Sequence, residues 1–180
     1  MPLPSMLHRL ALAAAFAGAA APALAAEIEV LPDGMARARI GGLKLYHDPK
    51  QWLIDGEGES FGVFCRGSEC EDPLMTIVAV PEELTSCSAG AVIDRSALDY
   101  PDAWTRGVTT AAAIGLTVHV ATLDQGCRNR AGSPVYACTT HKGLTYWFIA
   151  PGELCRTSVK ASEALESLLN GLTAAELTDP

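Results

Sequence analysis

The stretch LMTIVAV, residues 74–80, is apolar at six of its seven positions and is followed by Pro81. A half-buried strand alternates apolar and polar residues, whereas a strand that is covered on both faces is apolar throughout. This stretch therefore predicts a central strand of a sheet with other layers packed on both sides. Residues 144–150, LTYWFIA, have the same character and predict a second such strand.

Shorter patterns predict further strands around these two. Residues 43–47 alternate apolar and polar side chains, and residues 116–123 do so over a longer stretch. The segments QWLID and FGVFC flank the acidic, glycine-rich turn GEGES, and Lys142-Gly143 separates two apolar strands, residues 134–141 and 144–150. Both patterns predict β-hairpins. The opening segment IEVLPDGMARARIGG predicts an edge strand or an extended arm with a Pro-Asp-Gly turn.

Two helices are expected. The first begins at Pro101, because Trp104, Val108 and Ala112 lie at helical spacing, and it ends near Gly115. Residues 82–100 are compatible with either a short helix or a loop. The second helix is SEALESLLNGL, in which apolar residues recur on one face and Asn170-Gly171 supplies a stop signal. We therefore predict an α+β fold, with a single antiparallel β-sheet flanked by helices in an α/β/α sandwich.

The N-terminus indicates export. Residues 1–26 contain His8 and Arg9, then an apolar, alanine-rich run, and end in small residues with a small-x-small cleavage pattern. This is typical of a secretory signal peptide, and the apolar run is too short for a good membrane span. We expect residues 27–180 to form a single globular domain, located in the periplasm or secreted, with no membrane span after signal cleavage.

The charge of the chain excludes some partners. The net charge is −8, and loss of Arg9 with the leader leaves 12 basic residues against 21 acidic ones. Binding to nucleic acid depends on clustered Lys and Arg that neutralise phosphates, so no nucleic-acid partner is expected. An acidic surface suits solubility and would suit a basic protein partner.

Six cysteines follow the leader: Cys65, Cys70, Cys87, Cys127, Cys138 and Cys155. An even number in an exported chain predicts disulfides, because export delivers the chain to an oxidising compartment. We expect Cys65–Cys70 as a local pair around a turn, with Cys138–Cys155 and Cys87–Cys127 as the other two. The chain has no Cys-x-x-Cys motif, so neither a thioredoxin-type site nor a covalent haem is expected.

The element order, the opening LYHDPKQW and the last helix SEALESLLNGL resemble the PsbP-like fold. That family comprises α/β/α sandwiches among exported or lumenal binding proteins. The resemblance implies a non-catalytic accessory protein of larger complexes. It is a likeness of topology, and no site residue follows from it.

Few residues suggest a metal-binding or catalytic site. A copper or zinc site could form if two of His47, His119 and His141 came together with Met75, Met35 or a carboxylate. Tyr46-His47-Asp48 is the most site-like triplet. No spacing of a zinc site is present, so each histidine is expected at a strand surface or end. The nucleophile motif Gly-x-Ser-x-Gly and a phosphate-binding loop are absent from the sequence.

Aromatic residues offer one further surface. In the segment TYWF, Tyr146 and Phe148 must face one side of their strand and Trp147 the other, so one face could hold a partner or ligand. We therefore expect an exported, non-catalytic binding or accessory protein that acts through protein–protein contacts, of an inhibitor or immunity type. The alternative is a periplasmic metal-binding or metal-delivery protein that uses His47. Neither a cofactor nor an enzymatic activity is expected.

Overall fold

A computed structural model describes residues 26–66, 73–99, 104–113, 115–124, 134–150 and 159–174. Within these ranges the chain forms eleven strands and two helices. In chain order they are β1 (Glu27–Val30), β2 (Ala36–Ile40), β3 (Leu43–His47), β4 (Trp52–Glu57), β5 (Ser60–Cys65), β6 (Met75–Pro81), α1 (Ala89–Asp99), β7 (Trp104–Ala113), β8 (Leu116–Asp124), β9 (Val135–His141), β10 (Leu144–Ala150), α2 (Val159–Asn170) and β11 (Leu172–Ala174). None of the helices in these ranges is long and apolar enough to cross a bilayer.

The larger sheet has seven antiparallel strands in the order β4-β5-β6-β10-β9-β8-β7. At its centre β6 pairs with β10, so that Ala79 lies opposite Tyr146 and Val78 opposite Trp147. The prediction that these two apolar stretches form central strands is confirmed, but β6 is not covered on both faces, since Val78 and Val80 are only half-buried. The predicted hairpin between β9 and β10 is also confirmed, and its turn residues Lys142 and Gly143 both have positive φ, as a tight two-residue turn requires.

The smaller sheet has four antiparallel strands in the order β1-β2-β3-β11. Together with α2 it covers one face of the larger sheet and encloses the main core. This core joins side chains from both sheets and α2, among them Leu45, Ile77, Phe148 and Leu168. The turn between β2 and β3 is tied to the larger sheet, since the Gly42 N–H donates to the buried Tyr146 hydroxyl at 3.0 Å.

Helix α1 lies on the opposite face of the larger sheet and contacts β7, β8 and β9. Val92 of α1 is buried in a second core cluster with Ala121, Tyr136 and Trp147. The helix begins where Ser88 supplies a cap, because the Ala91 N–H donates to the Ser88 Oγ at 3.1 Å.

The prediction of a single sheet flanked by helices is wrong. The strands form two sheets, and the chain is mostly β with only two short helices in the described ranges. The second sheet is built around β3. The opening segment supplies β1 and β2, and β2 pairs with one edge of β3, while Leu172–Ala174 pairs with its other edge. One face of the larger sheet is therefore covered mainly by another sheet, so the fold is not an α/β/α sandwich.

The predicted helix over residues 101–115 is also wrong, since Trp104–Ala113 is the strand β7, which pairs with β8. Val108 and Ala112 are four residues apart, a spacing that fits a helical face and also one face of a regular strand. Between Thr105 and Gly107 the strand is irregular, with a shift in its pairing to β8. Three threonines and Gly107 lower the helix propensity of this segment. Gly115, with a φ of 74°, lies in the turn to β8 and does not end a helix.

The disulfides differ from the predicted pairs. Cys87 is bonded to Cys138, with the two Cα atoms 5.7 Å apart, so the pairs Cys87–Cys127 and Cys138–Cys155 are wrong. Cys65 is also disulfide-bonded, but Cys70, Cys127 and Cys155 lie outside the described residues, and so does the predicted Cys65–Cys70 pair. Residues 1–25, which hold nearly all of the predicted signal peptide, lie outside them as well.

Candidate functional site

An open groove lies beside α1 on the face of the larger sheet. The helix contacts β7, β8 and β9, and the neighbouring strands β6 and β10 form the floor of a cavity of about 660 Å³. We call this cavity the α1 groove. Its floor consists of Val78 and Val80 from β6 and Trp147 and Ile149 from β10. These four side chains point away from the main core, because their neighbours in sequence, such as Ala79 and Phe148, point into it.

One wall of the α1 groove is the helix itself. Ala91, Arg95 and Leu98 line the cavity at spacings of four and three residues, which places them on one face of α1. Leu98 is 74% exposed, although it borders an apolar floor. The other wall is the segment before α1, where Leu84 is 76% exposed. Two largely exposed leucines thus line the same groove.

Several contacts hold the second wall, residues 82–88, in place. The Glu82 N–H donates to the Gly143 carbonyl at 2.8 Å, and the Thr145 Oγ1 donates to the Thr85 carbonyl at 2.7 Å. The disulfide from Cys87 to Cys138 anchors the end of this segment to β9. The wall is therefore attached to the turn, to β10 and to β9, and the groove is a feature of the folded sheet.

The charges around the groove are mostly acidic. Asp94 lines the groove and is exposed, and Glu82 and Glu83, also exposed, precede Leu84 in the second wall. The nearby cation, Arg95, lies with its guanidinium 3.9 Å from the carboxylate of Asp99. Asp99 also accepts a hydrogen bond from the Tyr136 hydroxyl at 2.8 Å.

The acidic turn GEGES borders the same face of the sheet. Residues directly opposite each other in antiparallel strands point to the same face. Glu57 lies opposite Ser60, Ser60 opposite Val78, and Val78 opposite Trp147 of the groove floor. Asp55, two residues before Glu57, shares this face and is also exposed. The floor is thus bordered by carboxylates on the side away from α1.

His47, the predicted metal candidate, lies elsewhere. It is 2% exposed at the end of β3, and neither ring nitrogen has a hydrogen-bond partner among the described residues. Burial lowers the pKa of His47, and Asp48 opposes this effect only in part. The Asp48 carboxylate itself accepts the Lys50 N–H at 2.8 Å, so it caps the following turn.

The three histidines lie at separate places. His141 packs against Gly42 at the turn of the smaller sheet, and His119 lies on β8 opposite Cys138. In the part of the chain that the structure describes, no three His, Cys, Asp or Glu side chains are placed to share a metal ion.

The expected division of the aromatic residues is confirmed. Tyr146 and Phe148 are buried in the main core, and Trp147 belongs to the cluster beneath α1 and lines the groove. The sequence did not predict the walls of the groove, because residues 82–100 are compatible with either a short helix or a loop. The available signal was Leu84 and Leu98, two leucines in strongly polar surroundings that no amphipathic pattern accounts for.

Comparison with known proteins identifies no family for this chain. No protein-family model matches it, and no curated protein matches its sequence. The groove and its surroundings therefore have to be interpreted from their own chemistry.

Proposed function

We propose that this protein is a periplasmic or secreted, non-catalytic binding protein that holds a partner protein in the α1 groove. The observation that carries the proposal is that Leu84 and Leu98 are largely exposed and both line a groove with an apolar floor. Exposed apolar side chains gathered around one cavity are typical of binding surfaces. A bound partner would remove both leucines from water, which stabilises the complex.

The disulfides support an exported location. Cys87 and Cys138 are bonded to each other and Cys65 is also bonded, which is compatible with an oxidising compartment. The leader pattern of residues 1–26 points the same way.

The acidic charge supports an inhibitor or immunity type of action. Such a protein works by covering its partner, for which it needs a complementary shape and charge rather than reacting groups. The chain carries a net charge of −8, and several of its carboxylates surround the groove. Complementary charge speeds association and selects a partner with a basic surface.

A capture experiment with groove variants tests this proposal. The purified exported protein would be immobilised and exposed to an envelope extract of the organism that produces it. The Leu84→Asp/Leu98→Asp variant should lose at least about tenfold of the captured partner, because each leucine contributes about 1.5–3 kcal/mol when it is buried.

The matched control is Val30→Asp. Val30 is 69% exposed, similar to the two leucines, but it lies on β1 of the smaller sheet, on the other side of the larger sheet. The control should capture the same partner as the unchanged protein. Equal capture by the groove variant, or no specific capture by any form, would contradict the proposal.

A further inference from the structure

Among the described residues, the part of the larger sheet beside α1 is wide enough for one more helix, with the Phe64 ring and Pro73 lying over Gly62 of β5. Helix α1 packs mainly on β7, β8 and β9 and also reaches Trp147 of β10, and within the described residues no other helix lies on that face. The axes of the four strands β10, β6, β5 and β4 span roughly 14 Å, at about 4.8 Å between neighbours. A helix with its side chains is about 10–12 Å across. A second helix beside α1 would complete the layer, as packed layers of secondary structure commonly do.

The floor of the α1 groove favours a helix over an extended peptide. An extended peptide binds a sheet by pairing its backbone with a free edge strand. The floor strands β6 and β10 are interior strands, and each already has a hydrogen-bonded neighbour on both sides. A helix satisfies its own backbone hydrogen bonds and needs only side-chain contacts. Val78, Val80, Trp147 and Ile149 offer contacts of that kind.

The wall of α1 suits packing against a neighbouring helix. Ala91 and Leu98 lie on the face of α1 that lines the groove. The small side chain of Ala91 allows close approach at one end, and Leu98 provides an apolar contact at the other. Packed helices lie about 8–10 Å apart, and small residues favour the closer distances.

The charges on this face indicate which charged residues a bound segment would carry. Several exposed carboxylates belong to the elements around this surface: Asp94 on α1 lines the groove, Glu82 and Glu83 precede Leu84 in sequence, and Asp55 and Glu57 lie on β4. The cation at the groove, Arg95, lies beside Asp99. An occupant with lysines or arginines on both sides of an apolar stripe would complement this pattern.

We propose that the α1 groove receives a basic amphipathic helix of a partner protein. Its apolar stripe, with residues at positions i, i+3 or i+4, and i+7, packs on Val78, Val80 and Leu98. Its flanking lysines or arginines face the carboxylates of Asp94, Glu83 and Glu57. This inference rests on the proposed function, because it specifies what the groove binds.

A peptide selection tests the inference. Random 20-residue peptides displayed on phage would be selected on the full exported protein, and binders of the Leu84→Asp/Leu98→Asp variant would be discarded. The groove-dependent peptides should show apolar residues at helical spacing and an excess of lysine and arginine. Synthetic copies should become helical in circular dichroism when the protein is added.

Neutral variants of the rim test the charge contribution. The Glu57→Gln/Glu83→Gln/Asp94→Asn variant should bind the selected peptides several-fold more weakly and lose most of the salt dependence of binding. The control is Glu27→Gln/Glu166→Gln, which removes exposed carboxylates on β1 and α2. This control should bind as the unchanged protein does.

The outcomes separate the two proposals. Groove-dependent peptides without helical spacing, or with an acidic excess, would overturn the helix inference and leave the proposed function standing. Groove-dependent binding that is unaffected by the neutral rim variant would overturn the basic character of the occupant. No groove-dependent peptide at all would overturn both.

Discussion

Cys138 on β9 lies directly opposite Trp147 on β10, so the disulfide from Cys87 to Cys138 lies next to the indole that forms part of the groove floor. The same bond fixes the segment before α1, which carries Leu84 and forms the second wall. One covalent link therefore positions the helix, the wall and the floor relative to one another. The shape of the groove depends on a contact between residues 51 positions apart in sequence.

Removing this disulfide should destabilise the fold. In the Cys87→Ala/Cys138→Ala variant, the free energy of unfolding should fall by about 2–4 kcal/mol, because the bond restricts the unfolded chain over a long loop. Urea unfolding followed by circular dichroism would measure the change. Peptides selected for the groove should also bind this variant more weakly. An unchanged unfolding midpoint would show that the bond adds nothing to stability.

The start of α1 should depend on the hydroxyl of Ser88. Replacing it in Ser88→Ala leaves the Ala91 N–H without its acceptor, which should cost about 1 kcal/mol of stability. Ser88→Asp should restore the loss, because aspartate also caps helices. Thermal unfolding of the two variants would measure this. Equal losses in both would mean that the side-chain contact is not the cause.

Alanine substitutions at two glycines should change the stability of the protein in opposite directions. A Cβ at Gly171 would overlap the carbonyl oxygen of Tyr46, so Gly171→Ala should destabilise the packing of α2 on β3 by about 1–3 kcal/mol. A Cβ at Gly90 would meet only the Ser88 Oγ at 3.8 Å. Gly90→Ala should therefore stabilise α1, by about 0.5–1 kcal/mol. Urea unfolding would compare them, and a shift in the same direction for both would contradict the placement of these residues.

His47 should make stability depend on pH in weak acid. Burial lowers the pKa of His47 in the folded protein, so the unfolded chain binds more protons as the pH falls below about 6.5. Its contribution to stability is thus complete above the unfolded pKa and is lost as the pH falls towards the folded one. His47→Met should remove this loss. The test compares the free energies of unfolding of the two proteins between pH 7.5 and pH 5. A difference that does not change with pH would contradict the prediction.

Sequence patterns predicted the elements that local chemistry decides. The strands around residues 43–47, 75–81 and 144–150 follow from apolar runs and alternation, which are set by the side chains of each stretch alone. The hairpin turn at Lys142 and Gly143 follows from residues that tolerate positive φ. The last helix follows from its apolar stripe and its stop signal.

Other features could not be read from any single stretch. Residues 104–113 fit both a helix and a strand, and pairing with β8 decided between them. The pairing of Cys87 with Cys138 depends on β9 passing beneath the start of α1. For the candidate site, the sequence placed Trp147 on the face opposite Tyr146 and Phe148. The sequence alone did not indicate that Leu84, Leu98 and the acidic turn lie on that same face of the sheet.

By itself, the sequence determined that this chain builds a sheet with apolar central strands, carries disulfides in place of free thiols at Cys65, Cys87 and Cys138, and has an acidic surface. Only the tertiary structure decided that the strands divide into two sheets and that α1 leaves an apolar groove beside it. The reason is physical. Periodicity and turn preference act over a few neighbouring residues, whereas strand order, disulfide partners and uncovered surfaces depend on which distant segments pack together.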